Sequence, residues 1–484
     1  MIRKNHPMKF KYLLLGIVVF GFACCNPATE QGCLNILIIQ PDQHRADVMG
    51  CSGNSLAITP HLDALAAAGV RFSNAASASP VCCPFRATMQ TGLYIHEHGV
   101  VQNGIRLEHE FKTIGELFSE RGYATGYIGK WHLEGFLPED TVGGYIEPGE
   151  ARQGWQEWYG YEKSHEFFKV WNYNEKRAKV RLSEYDWEPA WHTDMALDFI
   201  KRNTDKGKPW CYYIAYGPPH KPEQCLPEFL EKYDPGEFVL PPNAEKELSE
   251  DNKQELRRIL QMYYAQVTAV DHEVGRLVEG LEEMGVNDQT IIVYVSDHGD
   301  VLGSHNVDIV QKYIETNRNV NNTLRTKGKP FSTAFRIPFI VSGPDVKKPG
   351  QVSESLVSSV DLVPTILDLA GLDIPEYMQG KSMADWYFNG QGPDQPYIYM
   401  GLHDNRNAWR AVWDGQYLLS LLDYQLFYDH SKDPHELDNL FTDPGSESKR
   451  MELESVLVNL ARETGDPILP RLEESIQNNT SNHE

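Results

Sequence analysis

Five apolar runs of strand length, each closed by a turn, constrain this chain more than any other feature. They are "LNILIIQPD" (34–42), "YATGYIGKWH" (123–132), "WCYYIAYGPPH" (210–220), "TIIVYVSDHGD" (290–300) and "FRIPFIVSGP" (335–344). Apolar runs without alternation are the pattern of strands buried on both faces. Helical patterns separate them: "TPHLDALAAAGVRF", with Thr59 as cap and Pro60 at its first position, "TIGELFSERG", and a long stretch over 252–284. "SVDLVPTILDLAGL" closes the series as a further helix. Strands alternating with helices predict an α/β fold, a large mostly parallel sheet sandwiched by helices.

After about residue 375 the texture changes. "PYIYMG" and "AWRAVWDGQYLLSLLDYQLFYD", with Asp-Gly at 414–415, predict a smaller C-terminal antiparallel-sheet subdomain, followed by a helix in "KRMELESVLVNLARETG". The expected division is a signal segment at 1–24, a main domain at 33–374, a subdomain at 375–475 and a flexible polar tail at 476–484.

At the N-terminus, Lys9 and Lys11 precede an apolar run from Tyr12 to Ala23 that ends at Cys24 and Cys25. The run is too short to span a bilayer and fits a secretory signal. Ala23-Cys24 resembles a bacterial lipoprotein cleavage site, so Cys24 or Cys25 is the expected lipidated residue. The expectation is export to the periplasm, or an outer-membrane lipoprotein of a Gram-negative bacterium, with membrane contact only through that anchor. A formal charge of -23 argues against a nucleic-acid partner and requires a local cationic pocket for any anionic substrate. The eight cysteines do not form a disulfide scaffold, and zinc-type spacings are missing. Pairing of Cys211 with Cys225 is left open.

Polar residues follow the candidate strands: Asp42 and Gln43, Lys130 and His132, His220, then Asp297 and His298. Ligands of open α/β sheets bind outside the carboxyl ends of the strands, so these four groups point to one site.

"SPVCCPFRATMQTGLY" (79–94) sets adjacent cysteines, Cys82 and Cys83, at the mouth of a helix in a chain that reads as exported. Within it, "CCPFRATMQTG" fits Cys-x-Pro-x-Arg followed, after four intervening residues, by Thr-Gly. With "GKWH" (129–132), "PPH" (218–220), "SDHGDVLGSH" (296–305) and "KGKPFSTAFRIPFIV" (327–341), the chain resembles the type I, formylglycine-dependent sulfatases of the alkaline phosphatase-like superfamily from about residue 34 to 375.

That resemblance implies an alkaline phosphatase-like fold and hydrolysis of sulfate esters, with sulfated glycans or glycan-derived saccharides as substrates. It implies that a formylglycine-generating maturation enzyme converts Cys82 to 3-oxoalanine before export, so no vicinal thiol pair persists. Cys83 then fills a variable position as a small buried residue. Asp42, Gln43, Asp297 and His298, with the oxygen at residue 82, would hold one divalent metal, and oxygen-rich ligation favours Ca2+. Gln43 and His298 stand where the family more often has Asp and Asn, which softens the site and removes a negative charge.

By the same resemblance, Arg86 and Lys130 activate the gem-diol nucleophile, and Lys327 and His220 face the sulfate and leaving oxygens. His220 is the expected general acid, and His132 the base that lets sulfate leave. Candidate substrate contacts are His44, Arg45, His305, His403 and Arg406, with 306–326 as a lid or sugar subsite. The alternatives are a phosphonate or phosphate monoester hydrolase of the same superfamily, a directly acting Cys82 thiolate, and a carbohydrate-binding lipoprotein on an inactive scaffold.

Overall fold

The computed structural model describes residues 33–135, 145–162, 166–168, 171–173, 179–181, 187–305, 326–403 and 408–481. The expected signal segment and its lipidated cysteine lie outside the described residues. The strands of the larger part are β1 (Asn35–Asp42), β2 (Val70–Ala76), β3 (Ala124–Lys130), β4 (Glu157–Tyr161), β5 (Trp171–Tyr173), β6 (Lys179–Arg181), β7 (Trp210–Pro219), β8 (Thr290–Val295), β9 (Phe339–Ser342) and β10 (Gln351–Ser358). The C-terminal part contributes β11 (Ile398–His403), β12 (Ala408–Trp413), β13 (Tyr417–Leu422) and β14 (Leu426–Asp429).

Eight strands form the main sheet in the order β10-β2-β9-β8-β1-β7-β3-β4, and β5 pairs with β6 as a separate ribbon. All main-sheet neighbours run parallel except β9, which opposes both β8 and β2. The expected mostly parallel α/β sheet is thus present.

Two-sided burial explains the unbroken apolar runs. Ile36 and Ile38 of β1 pack with Phe85, Met89, Phe118 and Ile366, so the helices Cys82–Thr91, Ile114–Glu120 and Leu362–Leu369 cover that face. Leu37 and Ile39 pack with Leu62, Phe199, Val270 and Val274, which come from the helices Pro60–Ala68, Glu188–Thr204 and Glu250–Glu283 on the other. Each such side chain contributes about 1.5–3 kcal/mol on burial, so neither face of β1 tolerates a polar residue.

The stretch 59–72, expected as one helix, divides. The helix stops at Ala68, and Val70 opens β2. Gly69 sits at the break, where an added Cβ would lie 2.1 Å from the Val341 carbonyl oxygen, so close packing against β9 excludes a side chain. β10 gave no sequence signal because it mixes Ser353, Glu354 and Ser355 with apolar residues, as its edge position permits.

The C-terminal strands form the expected antiparallel meander, β11-β12-β13-β14. The helices Glu447–Glu463 and Leu469–Ser481 cover it. The second helix runs through residues 476–481, which the sequence suggested were loose. Leu472 is buried and Ile476 packs against the cluster around Phe427 and Leu453, which holds that segment down. Cys211 and Cys225 are free thiols, and Cys211 lies fully buried in the centre of β7.

Candidate active site

The carboxyl ends of β1, β3, β7 and β8 bring the polar groups together, and the helix Cys82–Thr91 points its first turn at them. Cys82 and Arg86 are four residues apart on that helix and so share a face. β1 ends in Asp42, after which Gln43 turns with φ 71, a left-handed conformation unusual for a residue with a side chain. Three bonds fix this turn. Gln43 N donates to Asp297 Oδ1 at 2.9 Å, Gln43 Nε2 donates to Asp300 Oδ2 at 2.8 Å, and the Tyr263 hydroxyl donates to the Gln43 carbonyl at 2.7 Å.

Around Cys82 the charges alternate. Lys130 Nζ donates to Asp42 Oδ2 at 2.6 Å and lies 3.4 Å from Cys82 Sγ. Lys327 Nζ lies 2.9 Å from Cys82 Sγ and 3.4 Å from Gln43 Oε1. Arg86 Nη2 bridges Asp42 Oδ2 at 3.2 Å and Asp297 Oδ2 at 3.3 Å, while Nη1 donates to the Lys130 carbonyl at 2.5 Å. Asp42, Asp297 and His298 are fully buried.

Burial and Asp42 push the Cys82 thiol up, but Lys130, Lys327 and a hydrogen bond with His132 outweigh them and hold it well below the usual range. Burial likewise opposes ionisation of Asp42, and Lys130, His220, Lys327 and Arg86 overcome it. Asp297 goes the other way, raised by burial and by the charge of Asp42. One carboxylate of the pair is therefore short of positive charge, which is what a bound cation would supply.

Ligand atoms of Asp42, Cys82, Asp297 and His298 all lie within 4.8 Å of one another. His298 Nδ1 donates to the Gly299 carbonyl at 2.8 Å, so Nε2 is the nitrogen facing the cluster, 3.5 Å from Cys82 Sγ. Two carboxylates, an imidazole nitrogen and the atom at position 82 fit a divalent cation. Gln43 sits beside this set, its amide oxygen turned to Lys327 and its amide nitrogen to Asp300. Asp300, three residues beyond Asp297 in the same motif, was not singled out from the sequence, although a carboxylate at that spacing was its signal.

His132 and His220 complete the edge. His132 follows β3 with φ 60, and its interaction with Cys82 opposes the lowering that burial imposes on the imidazole. His220 is nearly buried, and its Nδ1 donates to the Lys221 carbonyl at 2.6 Å.

The candidate substrate contacts divide. His44 is a core residue, correcting the expectation. It is fully buried, with Nδ1 accepting from the Tyr294 hydroxyl at 2.7 Å and Nε2 donating to the Val48 carbonyl at 2.9 Å, and burial lowers it to about 4. Arg45 pairs with Asp47 at 2.6 Å and lines a cavity of about 530 Å³ with Arg71, Arg336 and Glu436. His305 stacks on Phe331 with ring centroids 3.9 Å apart and lies 3.6 Å from Glu436, a bracing position outside the Cys82 cluster. His403 is exposed at the end of β11. Arg406 and residues 306–325 lie outside the described residues.

Comparisons with known proteins identify the family. The sulfatase family pattern matches residues 34–372, and that of the N-sulphoglucosamine sulphohydrolase C-terminal region matches 327–463. An ulvan-active sulfatase of Formosa agariphila is 29% identical over 447 residues, covering 90% of this chain and 83% of the relative. An N-acetylglucosamine-6-O-sulfatase of Bacteroides thetaiotaomicron is 25% identical over 558 residues, covering 96% and 92%. A solved Bacteroides fragilis chain assigned as the sulfatase yidJ superimposes with a TM-score of 0.80 at 25% identity, over 92% of this chain and 99% of that one. Because the family match spans well over half of the sequence and includes the cluster around Cys82, the protein belongs to the sulfatase family and is a sulfuric ester hydrolase.

Proposed function

We propose that the protein removes sulfate groups from sulfated saccharides, with Cys82 oxidised to formylglycine by a maturation enzyme and one divalent cation, calcium, held by Asp42, Gln43, Asp297, His298 and residue 82. The observation that carries this reading is Cys82 at a helix start with Lys327 Nζ 2.9 Å and Lys130 Nζ 3.4 Å from its Sγ. Saccharide substrates are supported by the ulvan-active and N-acetylglucosamine-6-O-specific relatives.

Hydrated formylglycine supplies two hydroxyls, one to attack sulfur and one to expel sulfate afterwards. A bound calcium supplies positive charge where oxygen becomes anionic. Lys130 and Arg86 stabilise the anionic form of the oxygen at position 82, since Lys130 touches both Asp42 and the side-chain tip of residue 82. Lys327 is half-buried and stands ready to neutralise a sulfuryl oxygen. His220 Nε2 gives its proton to the departing alcohol. His132, whose imidazole interacts with residue 82, takes the proton of the second hydroxyl as sulfate leaves.

A panel of monosulfated saccharides, each paired with the phosphate ester of the same alcohol, tests this reading. Sulfate esters should turn over faster throughout, and preference for phosphate would reverse the assignment to the superfamily's phosphate and phosphonate hydrolases. Peptide mass spectrometry of active protein should show an aldehyde at residue 82. Full activity with an unmodified thiol would instead favour the direct Cys82 nucleophile.

Cation binding has its own readout. In chelator the melting midpoint should fall, and calcium should restore it, with about 2.7 kcal/mol of stabilisation at a hundred times its Kd. No change in midpoint with any divalent ion would remove the cation from the mechanism.

A further inference from the structure

We infer that Glu162, a residue outside the Cys82 cluster, is a positioning residue for His132, its buried carboxylate filling a cradle of backbone amides in the turn that carries the histidine. The inference rests on the role proposed for His132.

β3 and β4 are paired to their ends, Lys130 opposite Tyr161, and Trp131 N donates to the Tyr161 carbonyl at 2.8 Å. One residue on from β4, Glu162 reaches across. Its Oε1 accepts from Leu133 N at 3.2 Å and its Oε2 from Glu134 N at 3.3 Å. Successive amides converging on one anion, here those of Leu133 and Glu134, form a nest, which arises where a left-handed residue interrupts the chain. His132, with φ 60, is such a residue. Without an acceptor between them the two amides would repel one another and be left unpaired, at a cost that favours a relaxed turn. Glu162 is 1% exposed, so water does not replace it.

The ring of His132 needs this support. Its Nδ1 is buried and finds no partner among the described residues, so no second side chain aims the imidazole as a carboxylate does in a nucleophile–base–orienter triad. Orientation toward Cys82 falls to the backbone, and the backbone is set by Glu162. Burial raises the Glu162 carboxyl and the amides of the turn oppose that only in part, so it comes to about 7. The titratable groups that face it are Glu134 from the turn, Cys83 from the helix Cys82–Thr91 and Tyr127 from β3.

The test is a double-mutant cycle on the mature, metal-loaded enzyme. Glu162→Gln keeps the shape but removes the charge and points an amide N–H at the nest. It should lower kcat about 30-fold with KM within about twofold, since small misplacement of a reacting group is costly. In the His132→Ala background the same substitution should cost less than about twofold, because both changes remove one function. Equal losses in the two backgrounds would overturn the inference and leave Glu162 a stability residue. If His132→Ala alone keeps full activity, the reading of His132 fails instead, and the two failures are distinct. Occupancy of the aldehyde and the melting midpoint are recorded for each variant. Should Glu162→Gln not fold, Glu162→Asp, which retains the charge one methylene short of the nest, takes its place in the same cycle.

Discussion

Replacing Cys82 by serine should abolish multiple turnover, with kcat falling roughly 10⁴-fold or more, as loss of a nucleophile does elsewhere. The serine hydroxyl would occupy the place of Sγ, between Lys327 and Lys130 and beside Asp42. Those cations suit it for one attack on sulfur, with the alcohol leaving on a proton from His220. The product would be a serine sulfate with no second hydroxyl on the same carbon, and nothing nearby could expel the group. The expected result is one equivalent of alcohol per enzyme followed by silence, with the protein heavier by one sulfuryl group. Sustained turnover by Cys82→Ser at the rate of the parent enzyme would mean that an aldehyde hydrate is not the nucleophile.

Arg86→Met should produce the largest loss of stability of any single change at the site, about 3–5 kcal/mol in the presence of chelator. Arg86 bridges two fully buried carboxylates, Asp42 and Asp297, and also satisfies the Lys130 carbonyl. Methionine fills similar volume and leaves the carboxylates facing each other with Lys130 as the remaining close cation on Asp42. The sign with pH follows. In the parent, Asp42 is held well below its ordinary value, so its contribution is present at neutral pH and is lost on acidification. In the variant both carboxyls should shift upward, so ionisation destabilises the fold and the deficit narrows as pH falls and one group takes a proton. Melting curves of both proteins across that range would check it, and a deficit that is flat with pH would show that Arg86 acts through packing alone. Calcium should recover part of the loss by supplying the missing charge, but kcat should remain about 10³-fold down for want of the guanidinium.

The strands that build the site were legible because each is buried on both faces. β1, β3, β7 and β8 read as apolar runs, and the polar residues that follow them sit at one edge by the rule of parallel sheets. β10 was not legible, since an edge strand with one pairing partner carries serine and glutamate without penalty. Nor was β2, whose first residues continue a helical pattern that Gly69 ends only because β9 packs against it.

Chemistry divided along the same line. Cys82, Arg86, Lys130, Lys327 and the Asp297–His298 pair carry spacings that the motif fixes within a few residues of chain, so sequence alone nominated them. His44 looked equivalent to its neighbours in the row, and only packing against Tyr294 and Val48 shows it to be a core prop. Glu162 had no motif to announce it, because its role is to accept amides from a different strand end. What the sequence by itself determined was the class of fold and the candidates for the reacting side chains, which local pattern encodes. Which polar groups face the reaction and which brace it was decided by tertiary structure, because that depends on atoms brought together from strands far apart in the chain, where burial and charge act through space.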